Sequence, residues 1–198
     1  MRNLVLVAVA AALVLALAGP VHAGETYISI NGGGYWPGDG LPEDYDPGLS
    51  GGLSYILVNE YAGFEFGLNG YTASSNLYDE DMAALGGEML VHFHATDSVF
   101  RPFIAFGLGK YRSAFDFKDT DVLNTPVTKK FDGSGTVLKA GLRIFMGEKF
   151  FIGLYYKHLT NKVDIPPGVF YFGHPYFQGG SRDLGGDMAS FEIGIVDF

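Results

Sequence analysis

The chain has 198 residues, a formal charge of −9, no cysteine, 29 glycines, 12 tyrosines and 17 phenylalanines. No disulfide framework can hold it, and its acidic balance argues against a nucleic-acid partner docked on a basic face. After the first 23 residues no run reaches 18 apolar residues, so no membrane-spanning helix is expected.

Residues 1–23 read as a secretory signal. Arg2 supplies the charge, Leu4 to Leu17 the apolar core, and Val21-His22-Ala23 the small-residue cleavage site. A mature domain over 24–198 remains. Along it a period of two predicts eight strands, at about 25–36, 48–58, 61–72, 82–95, 99–114, 133–146, 149–162 and 187–198. The spacers alternate in length. Residues 58–60, 96–98 and 147–148 read as tight turns, whereas 37–47, 73–81, 115–132 and 163–186 read as long loops.

Each strand has one face without charges. In the third, Ala62, Phe64, Phe66 and Leu68 alternate with Gly63, Glu65, Gly67 and Asn69. In the fourth, Leu85, Met89, Val91 and Phe93 alternate with Glu88, His92 and His94. The sixth sets Leu138, Leu142 and Ile144 against Lys139 and Arg143, and the seventh sets Ile152, Leu154 and Tyr156 against Tyr155 and Lys157. An even number of strands with all the long loops at one end is the pattern of a closed, membrane-spanning, antiparallel up-and-down β-barrel. A soluble sandwich has no reason to sort its loops in this way. Ten residues at a tilt near 40° rise about 25 Å, the height of a lipid-facing band. Glu65, Glu88, His92, Arg101, Lys139, Arg143 and Lys157 should then point into a narrow lumen, where burial requires that they pair. Aromatics near strand ends, among them Tyr35, Trp36, Tyr61, Tyr71, Tyr78, Phe100, Tyr111, Phe115, Phe131, Phe150, Tyr156 and Phe198, fit the girdles of such a barrel.

On signal, alternation and the ending Ser190-Phe191-Glu192-Ile193-Gly194-Ile195-Val196-Asp197-Phe198, the chain resembles the small eight-stranded OmpA-like barrels of the bacterial outer membrane. The resemblance implies an all-β fold and a non-enzymatic role in envelope integrity or surface interaction. It also implies contact with outer-membrane lipid and lipopolysaccharide, a monomeric state, no cofactor, and Phe198 as the signal read by the barrel assembly machinery. Glu192 and Gly194 share parity with Phe198, so a bulge in the last strand is expected. A small gated channel is the other reading of the lumen.

Two further motifs stand out. His158-Leu159-Thr160-Asn161 resembles the His-x-Ser-Asn segment of lipid A deacylase barrels, which would make His158 the base, Thr160 the nucleophile and Asp187 or Asp183 the orienting acid. Asp39, Glu43, Asp44 and Asp46 form an acidic cluster of the oxygen-rich kind that suits a divalent cation, though their spacing fits no calcium loop. The fourth loop, rich in Phe and Tyr, should either fold over the rim or meet a partner.

Overall fold

The computed structural model describes residues 24–41, 44–59, 61–77, 79–95, 99–117, 127–170, 174, 176 and 178–197. Eleven strands are present among them: β1 (Glu25–Pro37), β2 (Tyr45–Asp46), β3 (Gly48–Asn59), β4 (Ala62–Ser75), β5 (Glu80–His94) and β6 (Phe100–Phe117) in the first half. β7 (Val127–Met146), β8 (Phe150–Leu159), β9 (Lys162–Ile165), β10 (Gly180–Asp183) and β11 (Gly186–Asp197) complete the set.

Eight of these are staves of one closed antiparallel barrel. Pairing runs from β1 through β3, β4, β5, β6, β7, β8 and β11, and β11 returns to β1. Closure leaves no sheet edge, so the ladder satisfies the backbone groups that hydrocarbon cannot. The three short strands lie at the long-loop end: β2 adds to β4, β9 continues the line of β8 against β7, and β10 pairs with β9.

Alternation sorts the side chains. On β5, Met82, Ala84, Glu88, Leu90 and His92 are buried inside, while Leu85, Met89 and Phe93 face out. The outward set is apolar around the whole circumference, with Ile30, Leu53, Phe66, Phe106, Leu142, Leu154 and Ile193 all exposed. A continuous apolar exterior of this kind is stable in lipid and not in water. On β6 it runs from Phe100 to Leu108, a rise of about 20 Å at a usual barrel tilt.

Inside, two apolar clusters lie at opposite ends. Tyr27, Ile56, Val58, Phe145, Phe151 and Val196 pack at the end that holds the short turns. A larger group, including Tyr35, Leu41, Tyr71, Met82, Phe115, Phe131, Phe170 and Tyr176, fills the mouth at the other end. Glycines make space for the rings: a Cβ on Gly86 would come 2.3 Å from Tyr111 Cδ1. Gly147 has φ +75° in the tight turn between β7 and β8, a conformation that costs an L side chain about 1 kcal/mol.

Several expectations need correction. The ladders continue past the membrane band at the long-loop end, so the spacer read as 73–81 shrinks to residues 76–79 and the one read as 115–132 to 118–126. Pairing persists there because Thr72, Ser74 and Asp116 keep the alternation with polar groups facing out. The last strand has no bulge: Thr26↔Asp197 through Pro37↔Gly186 is one unbroken register. Tyr35, Tyr71, Tyr111, Phe115 and Phe131 are buried in the mouth and do not join an outer girdle, while Trp36, Tyr61, Phe100, Phe150 and Tyr156 are exposed on the outside. Tyr78, Phe198 and residues 1–23 lie outside the described residues.

Candidate functional site

The barrel interior carries a band of ionised side chains between the two apolar clusters. Lys139 on β7 donates from Nζ to Glu65 Oε1 of β4 at 2.7 Å, and Ser54 Oγ donates to the same oxygen at 2.9 Å. Arg143, four residues along β7, holds Glu192 of β11 bidentately, with Nε and Nη2 each 3.1 Å from a carboxylate oxygen. Ser29 Oγ donates to Glu192 Oε1 at 2.6 Å from β1. Such forked pairs are the strongest of the charge-assisted hydrogen bonds.

The third nitrogen of Arg143 fixes a tautomer. Nη1 lies 3.1 Å from His92 Nε2, and a guanidinium has donors only, so Nε2 accepts. The imidazole proton therefore sits on Nδ1, which faces Glu65 Oε2 at 3.4 Å. Phe103 stacks on His92 from one side and receives the guanidinium of Arg143 at 4.1 Å.

Toward the long-loop end, Lys157 Nζ and Tyr111 Oη both donate to Glu88 Oε1, at 2.9 and 2.7 Å, and Asn69 Nδ2 donates to Oε2 at 2.9 Å. At the opposite end Arg101 Nη1 reaches Glu25 Oε2 at 2.5 Å and Tyr27 Oη at 2.7 Å, with its guanidinium over Phe145. The structure thus places all seven predicted interior residues inside the wall, and it adds Glu25 and Glu192 as counter-charges.

Above this band a neutral polar layer ties the mouth together. Asn161 Nδ2 donates to Tyr71 Oη and Ser113 Oγ, each at 2.9 Å, and the hydroxyls of Tyr35 and Tyr71 donate to Leu184 O. Asp183 accepts from Asn161 N at 2.6 Å and Gly185 N at 3.0 Å. Asn161→Ala removes the donor of two buried hydroxyls, and such a loss costs about 1–3 kcal/mol. A urea titration of barrel refolded in vesicles should show that fall.

The described part of the fourth loop folds back over the rim. Phe170, His174 and Tyr176 are buried, Tyr176 Oη donates to Gly40 O at 2.7 Å, and His174 Nε2 lies 3.0 Å from Glu80 Oε1. Tyr45 bonds the same carboxylate.

On the outer wall, His158 Nδ1 is 2.7 Å from Asp187 Oδ1, and Tyr156 Oη donates to the same oxygen at 2.5 Å. Thr160 is engaged elsewhere: its Oγ1 accepts from Thr136 N at 2.8 Å and lies 3.2 Å from Thr136 Oγ1. Asp187 is thus brought to His158, and Asp183 is turned to backbone N–H groups. Asp39, Asp44 and Asp46 do not converge, since among the described residues no three acidic or histidine side chains meet at one point. Glu43 lies outside the described residues.

Residues 6–176 match the family described as Outer membrane protein beta-barrel domain. Solved barrels share the fold at low identity. The outer membrane protein OprG of Pseudomonas aeruginosa is 16% identical with a TM-score of 0.59, covering 88% of this chain and 96% of its own. Neisserial surface protein A is 10% identical with a TM-score of 0.56, covering 88% and 99%. Ail of Yersinia pestis is 14% identical with a TM-score of 0.52, covering 89% and 100%. No curated protein sequence matches significantly. The family match spans most of the chain, and the closed eight-stave barrel with its apolar exterior is what that family builds, so this protein belongs to the outer-membrane β-barrel family and resides in the bacterial outer membrane.

Proposed function

We propose that the protein is a non-enzymatic barrel whose interior is closed by ion pairs and which contributes to envelope integrity or surface interaction through its outer end. The observation that carries this reading is the stacking inside one narrow wall of three layers. These are the Arg143–Glu192 and Lys139–Glu65 pairs, the Lys157–Glu88 pair and the aromatic mouth. An eight-stranded barrel has room inside for little beyond its own side chains. Planar-bilayer recording of the refolded barrel should show little steady conductance. Large, stable open states would replace this reading with the gated channel.

Residues 1–23 act in this proposal as a cleaved secretion signal, and Phe198 as the mark read by the barrel assembly machinery. The mature protein works as a monomer among outer-membrane lipid and lipopolysaccharide. Ail has been crystallised with the heparin analogue sucrose octasulfate, so a barrel of this shape can present a surface to an anionic ligand.

The His158–Asp187 contact favours one second reading, lipid A deacylation with Thr160 as nucleophile. The Thr160 hydroxyl is directed to Thr136, and a nucleophile must lie within reach of its base. Lipid A from a host expressing the folded protein should keep all its acyl chains by mass spectrometry. Loss of one chain would convert the scaffold into a hydrolase.

A further inference from the structure

The chain is acidic, yet its cations are not spread evenly. Of its 13 lysines and arginines, four lie in the interior (Arg101, Lys139, Arg143, Lys157) and four more gather on one outward sector of the wall. These four are Lys110 and Arg112 on β6, Lys130 on β7 and Lys162 on β9, and the three lysines are exposed. Cross-strand register aligns them. Lys110 pairs with Ser134, and Ser134 pairs with Lys162, so two lysines flank one exposed hydroxyl in a single row across three strands. Strand spacing puts the two lysine backbones about 10 Å apart, within reach of one tetrahedral oxyanion for side chains of that length.

The position of this row gives it meaning. Below it on the same outward face lie Leu108 and Leu138, the last large apolar residues of the lipid-facing wall on β6 and β7, with Thr136 and Thr160 between. On the neighbouring β5 the apolar face reaches Leu85, opposite Arg112. On β6 and β7 the row is therefore where hydrocarbon gives way to headgroups. The carboxylate in it, that of Asp183 opposite Lys162, is engaged through Oδ1 by the backbone N–H groups of Asn161 and Gly185. One row higher Asp132 is held by Arg112 at 2.8 Å and Asp164 is exposed, and below the row Asp187 is held by His158 and Tyr156 next to Leu138.

We infer that Lys110, Ser134 and Lys162 form a phosphate-binding site for a phosphorylated lipid of the outer leaflet, with its acyl chains on Leu108 and Leu138 and its phosphate between the lysines. This deepens the scaffold reading, on which it rests for the kind of partner, by naming the headgroup chemistry and the staves that hold it. Cations at that level are what an anionic leaflet attracts. The rest of the protein's net charge would repel it.

The test uses the mature chain refolded in a maltoside detergent, which carries no phosphate. It is titrated with lipid A bearing both phosphates and with the dephosphorylated form, and bound lipid is counted by native mass spectrometry. Wild type should prefer the phosphorylated lipid. Lys110→Gln with Lys162→Gln should weaken that lipid alone, by roughly fivefold per lysine and about 25-fold together. Lys149→Gln, at the short-turn end, should change nothing. Heat-modifiable gel migration establishes that each variant is folded. Equal binding of the two lipids by wild type, or an equal loss of both in the double variant, overturns the site. Binding of inorganic phosphate or sucrose octasulfate at these lysines as tightly as the lipid assigns the patch to soluble anions and overturns it too. An open channel or a deacylated lipid A would defeat the scaffold reading and leave this comparison of two lipids intact.

Discussion

Arg143→Ala should lower the unfolding free energy by about 3–5 kcal/mol, the usual cost of removing one partner from a buried ion pair. The size follows from what is left behind. Glu192 would keep only the hydroxyl of Ser29, His92 Nε2 would lose its donor, and Phe103 would lose the cation on its face. Arg112→Ala provides the contrast. Its bidentate contact with Asp132 is as well formed, at 2.8 and 3.3 Å, but the two side chains are 67% and 59% exposed. Solvent screens that pair, and only a small fraction of the Arg143→Ala loss is expected. The double replacement Arg143→Met with Glu192→Leu removes both charges and should recover much of the loss. Urea titrations in vesicles measure all three. Equal midpoints for Arg143→Ala and wild type would show that the interior pairs contribute nothing to holding the wall.

Leu154→Arg should cost about 2–4 kcal/mol, although Leu154 is 64% exposed and touches little protein. On a water-soluble protein an exposed leucine changed to arginine stays within about 0.5 kcal/mol. Leu154 pairs with Leu142 on β7 and Phe191 on β11, near the middle of the apolar wall, where a guanidinium has neither water nor a carboxylate. Thr128→Arg, on β7 above the wall, should be neutral within that same margin. The two substitutions compared in vesicles read the position of the membrane directly. A neutral Leu154→Arg would place this surface in water.

The wall was legible in the sequence because lipid imposes one rule on every stave. Phe64, Phe66 and Leu68 announce their face without reference to any neighbour, and Lys139 and Arg143 then belong to the other. Glu192 shows the same rule misread. Its place opposite Ile193 and Ile195 looked like a fault in the terminal strand needing a bulge, and it is the counter-charge of Arg143 in regular register. Alternation gives a residue's side of the wall but not its partner, since Arg143 and Glu192 are separated by 49 positions and meet only through β8. The mouth was less legible still. Phe170, His174 and Tyr176 come from a loop with no period, and their burial rests on packing against Phe115, Phe131 and one another. The polar residues of the rim carried a weak motif, and only geometry shows Thr160 committed to Thr136.

The unbroken seam between β1 and β11 bears on the order of assembly. Glu192 belongs to the last stave, while its partners Arg143 and Ser29 stand on β7 and on the first. A sheet that has formed β1 through β8 and lacks β11 holds a guanidinium whose carboxylate has not arrived, on a face about to be shut away from water. Docking β11 supplies that carboxylate and joins the two ends of the sheet in the same event. The pair is thus a latch: its attraction is gained only by a cylinder, and a half-built sheet has none of it.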